Sequence, residues 1–327
     1  MPDFHDILQV FTKIGFFSTL LTNSLLIYLT VFHIKRIFGT YKYMIIIFAS
    51  LGITFSIIEQ FVKPNIHNYN KGLMFFTVGW PELNVPYDVM QIGLGVYAGF
   101  YVLVVAFLAV QFVFRYLVLM NPEYSKMFEG FGVLVWGIYP LVVGFFNGAA
   151  IFFFTAPDEY GDDYMRSEIF EVYHLTITKT PHLLIVPYDS NGSIRWFNTL
   201  YLFAGAFALL SQYYLIIYCG LQMHFQMHKE LQKFSVPNRK LQKQFFKALV
   251  FQILVPTIIF VFPSTPLLLG PLLDIKMSVR SGGVCALLSL YPPIDSLVFM
   301  LIVTEYRNLF IRKCGPKSHT HPSHCTV

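Results

Sequence analysis

The sequence predicts an all-α membrane protein, a bundle of seven transmembrane helices, and three observations carry that prediction. The 327 residues are 55% hydrophobic and 18% aromatic but only 13% charged, about half the charge of a soluble domain. Roughly seven apolar stretches of about 20 residues follow one another, each long enough as a helix to cross a hydrocarbon core of about 30 Å. Lys and Arg gather in alternate connections between those stretches, the asymmetry that orients membrane proteins.

The spans are read in order as 8–32, 43–62, 89–113, 131–154, 197–221, 248–269 and 282–303. Residues 1–303 then make one transmembrane domain, followed by a tail, 304–327. The chain opens Met1-Pro2-Asp3-Phe4-His5-Asp6 with no basic stretch and no small-residue cleavage site, so no removable signal peptide is expected and span one serves as its own insertion signal.

Seven crossings put the two ends on opposite faces. The loop after span one, the loops after spans three and five and the tail carry fifteen Lys and Arg, against seven on the other face, with Lys13 inside span one. The N-terminus is therefore expected to be extracellular and the C-terminus cytoplasmic. Twelve acids on the outer side against four on the inner lean the opposite way. Asn191-Gly192-Ser193, the only N-glycosylation sequon, falls on the outer face, so Asn191 is a glycosylation candidate close to the membrane.

Two carboxylates lie inside predicted helices, where ionisable groups usually face a bundle interior or water. Asp295 follows Pro292 and Pro293 in "YPPIDSLVFMLIVTEYR". Missing backbone hydrogen bonds there point to a hinge that includes Pro263 of span six, either a static kink or a joint that moves. Glu59 stands four residues before Lys63, a spacing that suits snorkelling or an i,i+4 pair, with a ligand-facing acid as the alternative reading.

Arg115 and Tyr116 end span three on the cytoplasmic side. The guanidinium is placed to meet lipid headgroups, pair within the bundle or present its donors to a partner. The third loop, 222–248, alternates basic and apolar residues on both sides of Pro237 and includes Arg239 and Lys240. It is expected to prolong spans five and six as amphipathic helices that face anionic lipid or a G protein.

The four cysteines are Cys219 and Cys285 within spans and Cys314 and Cys325 in the tail, so the outer loops are expected to hold no disulfide. Cys314 follows a basic, aromatic stretch and is a palmitoylation candidate. His319, His321 and His324 give only a superficial metal tract. No phosphate loop, metalloprotease helix or nucleophile elbow is present in the sequence. No catalytic residue, cofactor or metal is expected, and nothing points to nucleic acid. The acidic loop 155–196 reads as solvated, with a short hairpin lid at 174–188.

Several segments together resemble the nematode seven-helix chemoreceptors, most closely the Str class of serpentine receptors. They are 14–50 with "TNSLLIYLTVFHIKRIFGTYKY", "VKPNIH" (62–67), "VFRYLVL" (113–119) and 291–307. The resemblance implies a receptor coupled to a heterotrimeric G protein in the plasma membrane of sensory cilia, detecting environmental small molecules. By the same likeness Arg115 and Tyr116 stand where such receptors restrain and engage the G protein. Phe114 stands before the Arg where rhodopsin-like receptors usually have an acid, Pro293-Ile294-Asp295 replaces their Asn-Pro pattern, and their outer disulfide is missing. Polar or aromatic residues in the outer halves of the spans, Gln91, Tyr97, Tyr101, Asn198, Tyr201, Ser264 and Thr265, are the ligand-site candidates. An odorant-gated channel subunit, a transporter and a peptide receptor are the rival readings. The first would want the opposite orientation, and the second would want two matching halves. Pairing with another receptor stays open.

Overall fold

A computed structural model describes residues 4–314 apart from 36, 38, 79–84 and 274. Among the described residues, seven helices are long and apolar enough to cross a membrane: Ile7–His33, Thr40–Val62, Tyr87–Met120, Gly132–Phe154, Trp196–Lys233, Val236–Leu272 and Gly282–Ile302. Spans three, five and six outrun their apolar cores. Spans five and six continue through the basic third loop and meet at a short turn, where Arg239 donates to the carbonyls of Phe234 at 2.7 Å and Gln232 at 2.8 Å. The bundle has an N face, where the chain begins, and a C face, where the last span ends.

Span three is the axis of the bundle and is buried along most of its length, whereas few residues of span five are buried. Spans three and four come together through glycines spaced four apart on each, Gly95 and Gly99 against Gly144 and Gly148. A Cβ on Gly99 would stand 2.5 Å from the Gly144 carbonyl oxygen. Only hydrogen at these positions permits so close a helix contact, the small-residue packing that replaces hydrophobic drive in lipid.

Span seven is broken. Its first part, Gly282–Leu288, ends in a turn at Ser289 and Leu290, and a second helix, Tyr291–Ile302, starts with Pro292 and Pro293 in its first turn. There a missing N–H costs nothing, since first-turn N–H groups have no helical partner. The prolines therefore open a new helix instead of bending a continuous one. Gly15 of span one lies under the break, and a Cβ there would sit 2.8 Å from the Ser289 carbonyl oxygen. Span six contains a five-residue π turn, Thr257–Val261, just after Pro256, and Pro263 lies in the first turn of the helix beyond it.

A small sheet closes the N face. Strands β1 (Pro64–Asn70) and β2 (Gly72–Thr77) come from the connection between spans two and three, β3 (His182–Ile185) from that between four and five, and β4 (Met277–Val279) from that between six and seven. The order is β3-β2-β1-β4, with every pairing antiparallel. Asn70 makes the β1–β2 turn at φ 48°, a left-handed conformation that Asn tolerates. A cap helix, Glu159–Tyr173, lies across the sheet.

Both faces of β2 and β3 are therefore covered. Leu73, Phe75, Leu183 and Ile185 pack into the bundle core, while Met74, Phe76 and Leu184 pack on Met165 and Ile169 of the cap helix. The segment expected as a short hairpin lid at 174–188 pairs its strand with β2. It is one edge of a sheet that joins three loops.

Candidate functional site

Among the described residues, one cluster of polar side chains lies at mid-depth in the bundle and another at the C face. At mid-depth, Gln252 of span six donates through Nε2 to Oδ2 of Asp295 at 3.0 Å, and Tyr291 points its hydroxyl at the Gln252 carbonyl, 3.4 Å away. Ser296 donates to Asn23 Oδ1 at 2.5 Å, and Asn23 Nδ2 donates to the Ala49 carbonyl at 2.9 Å. Asp295 is buried, and its second oxygen, Oδ1, has no partner. Beside it a cavity of about 20 Å³, lined among others by Asn23, Gly52, Tyr101, Tyr291 and Ser296, has room for about one water. The buried Tyr101 hydroxyl also lacks a partner.

At the C face Arg115 is 5% exposed. Its guanidinium carbon lies 3.2 Å from the centre of the Tyr41 ring and 4.2 Å from that of Phe245, and Nη1 donates to Gln242 Oε1 at 2.9 Å. A planar, weakly hydrated cation suits such a sandwich, and each desolvated cation–π contact contributes about 2 kcal/mol. No carboxylate pairs with it among the described residues, and Nε and Nη2 have no hydrogen-bond partner. Phe245 continues the contact to Phe299, whose ring meets Tyr306. The Tyr306 hydroxyl lies 2.8 Å from that of Thr30. This chain of contacts links spans one, two, three, six and seven and the helix that follows them.

The other sequence candidates are scattered. Gln91 donates to the His182 carbonyl at 3.1 Å, and Asn198 bridges the Phe154 carbonyl and the Val186 N–H at 2.8 and 3.2 Å. Both therefore tie the sheet to the spans. Tyr97 donates to Glu59 at 3.4 Å. Glu59 does not snorkel as its sequence position suggested; it turns inward and is 2% exposed. Tyr201 packs partly buried on the core.

Ser264 and Thr265 both bond the Val261 carbonyl of their own helix, and Thr265 is exposed, so neither joins the other candidates. Tyr116 sits half-buried against Tyr218, and Lys240 is exposed. Asn191 is exposed in a tight turn in which Asp189 Oδ1 accepts from the N–H groups of Asn191 and Ser193. The Cys314 side chain and the histidines of the tail lie outside the described residues. Among the described residues no group of acids, histidines and cysteines could hold a metal.

Sequence reasoning missed Tyr41, Gln242 and Gln252. Tyr41 reads as a loop residue beside a turn, Gln242 is one polar residue among many on an amphipathic segment, and a lone Gln in an apolar span carries no pattern of its own.

Similarity to known proteins agrees with this architecture. Over 308 residues the chain is 39% identical to a G-protein coupled receptor of Caenorhabditis elegans, str-33, covering 92% of this chain and 89% of that receptor. It is 27% identical over 300 residues to the serpentine receptor class r-10 of the same nematode, covering 88% and 86%. The Caenorhabditis briggsae receptor of that name is 26% identical over 304 residues, covering 90% and 86%. The profile of the serpentine type seven-transmembrane GPCR chemoreceptors, Str, matches residues 8–311. With that match over nearly the whole chain and seven membrane-length helices beneath it, the chain belongs to the Str family of serpentine chemoreceptors.

Proposed function

We propose that this multi-pass receptor holds its N face outside the cell, binds an environmental small molecule within the N-face half of the bundle, and activates a heterotrimeric G protein at its C face. The observation that carries the reading is Arg115, a buried cation held by two rings from spans two and six with most of its donors unused. Such a contact is strong enough to close the C face and contains no ion pair that would make it permanent. A ligand shifts the receptor toward an open state by binding that state more tightly. Tyr101 and the cavity beside Asp295 lie between the N-face half and the latch, where a ligand that widens the cavity would press on spans six and seven. The orientation rests on the excess of Lys and Arg on the C face, which also supplies a basic surface for the G protein and for anionic lipid. Residence in sensory cilia is part of the same reading and is checked by tagging the receptor in the animal.

The test is nucleotide exchange on a G protein by the reconstituted receptor, screened against volatile and water-soluble small molecules. An Arg115→Ala version at equal surface level runs alongside. Without the Arg115 contact, ligand-independent exchange is expected to rise and the ligand-dependent increment above it to shrink at least tenfold. A full response from the variant, or a ligand-driven current without G protein, would sink the proposal.

A further inference from the structure

The cap contains two buried histidines, one on β1 and one on β3, each facing a carboxylate of the cap helix. They make different demands. His67 places Nε2 3.2 Å from Glu168 Oε1 and Nδ1 3.3 Å from the Tyr173 hydroxyl. A neutral ring satisfies both, donating to the carboxylate and accepting from the phenol. Burial lowers its basicity further, opposed by Glu168.

His182 has no such solution. Nδ1 lies 2.6 Å from the Thr180 carbonyl oxygen and Nε2 2.9 Å from Asp162 Oδ1, and both are acceptors. A neutral imidazole has one N–H to offer to two acceptors; an imidazolium has two. The other groups facing the ring do not change this. The Tyr87 hydroxyl of span three is 3.5 Å from Nδ1, too far for a firm bond, and Phe76, paired with His182 on β2, is apolar. Asp88, next in the chain after Tyr87, is a further acid that acts on that phenol.

We infer that His182 and Asp162 form a proton-binding site whose occupancy sets how tightly β3 is held to the cap helix, making the cap responsive to the pH at the N face. The His182 side chain is 1% exposed, but Asp162 is 16% exposed, so protons exchange with solvent along the carboxylate side. Loss of the shared proton leaves a lone pair facing an oxygen at under 3 Å. The consequence reaches the spans, because the His182 carbonyl accepts from Gln91 of span three and Asn198 of span five holds Val186, next after β3. The inference goes beyond the signalling proposal and stands or falls without it.

The experiment is nitrogen NMR of the full-length receptor in nanodiscs with ring-labelled histidine, with the His182 signals assigned by their loss in His182→Gln. Across a pH series the wild-type ring is expected to carry a proton on each nitrogen at the acid end and to have lost one at the alkaline end. Asp162→Asn keeps the bond but supplies an amide donor to Nε2, so its His182 is expected to stay neutral over the same range. Glu168→Gln is expected to leave the His182 titration unchanged. A wild-type His182 that is neutral throughout, or one that titrates identically in Asp162→Asn, overturns the inference.

Discussion

The cap and the interior of the bundle treat buried polar groups in opposite ways. In the cap, Asn68 donates to the Leu267 carbonyl at 2.7 Å and accepts from Ser281 at 2.9 Å, Thr77 donates to the Val62 carbonyl, and Arg195 pairs with Asp158. Both histidines have a partner on each ring nitrogen. Among the described residues, every buried side-chain oxygen or nitrogen without a hydrogen-bond partner lies instead in a span: on His33, Tyr41, Ser56, Glu59, Tyr101, Gln111, Arg115, Gln252 or Asp295. An unpaired buried polar group costs about 1–3 kcal/mol, so the interior bears a cost that the cap avoids. The difference separates a lid that keeps its pairings at a given pH from a region whose polar groups gain by rearranging, as a two-state switch requires.

The largest effect is expected at the latch. Tyr41→Leu removes one ring from the guanidinium, a contact of about 2 kcal/mol, and should raise ligand-independent nucleotide exchange by about tenfold or more. Unchanged basal exchange would mean that Arg115 restrains nothing. In the cap, Asn198→Ala strands the Val186 N–H and the Phe154 carbonyl, so a loss of about 1–3 kcal/mol is expected, read as a lower melting temperature. A neutral outcome would show that the cap is not the rigid half.

Asp295→Asn is expected to leave stability within about 1 kcal/mol, because its amide oxygen still accepts from Gln252, while shifting the balance between basal and ligand-driven exchange. A smaller effect concerns pH. Burial holds the His67 imidazole below its ordinary range, so the unfolded chain binds more protons than the cap once pH drops below about 6.5. Its contribution is intact above that pH and is lost as pH falls. His67→Gln should flatten that acid-side slope in a melting series, and an unaltered slope would remove His67 from the account. Tyr173, its neighbour, has a phenol pushed up to about 12 by burial and stays neutral throughout. Thr265→Val, at an exposed side chain bonded only to its own helix, is expected to change neither exchange nor melting.

The bundle was legible in the sequence because a membrane-crossing helix must be apolar over a fixed length, and seven such stretches stand out. The sheet was not. β2 and β3 are short and covered on both faces, so they lack the alternation that marks a half-exposed strand, although "LMFF" after Asn70-Lys71-Gly72 carried a turn and an apolar run. Pro292 and Pro293 announced a break, but not that it would be a fresh helix start rather than a kink. Glu59 could not be placed because the sequence does not say which way a helix faces; Tyr97, its partner, lies 38 residues further along the chain. Arg115 was visible as a cation at a helix end, and its cage was not, since Tyr41 and Phe245 come from other spans.

The central claim, a fixed N-face cap and a C face that opens around Arg115, is tested most directly by amide hydrogen exchange on the full-length receptor with and without nucleotide-free G protein. Exchange is expected to change at residues 111–120 and 236–250, while 64–77 and 182–186 keep the same protection. A C face that does not change, or a cap that changes as much as the C face, would contradict the account.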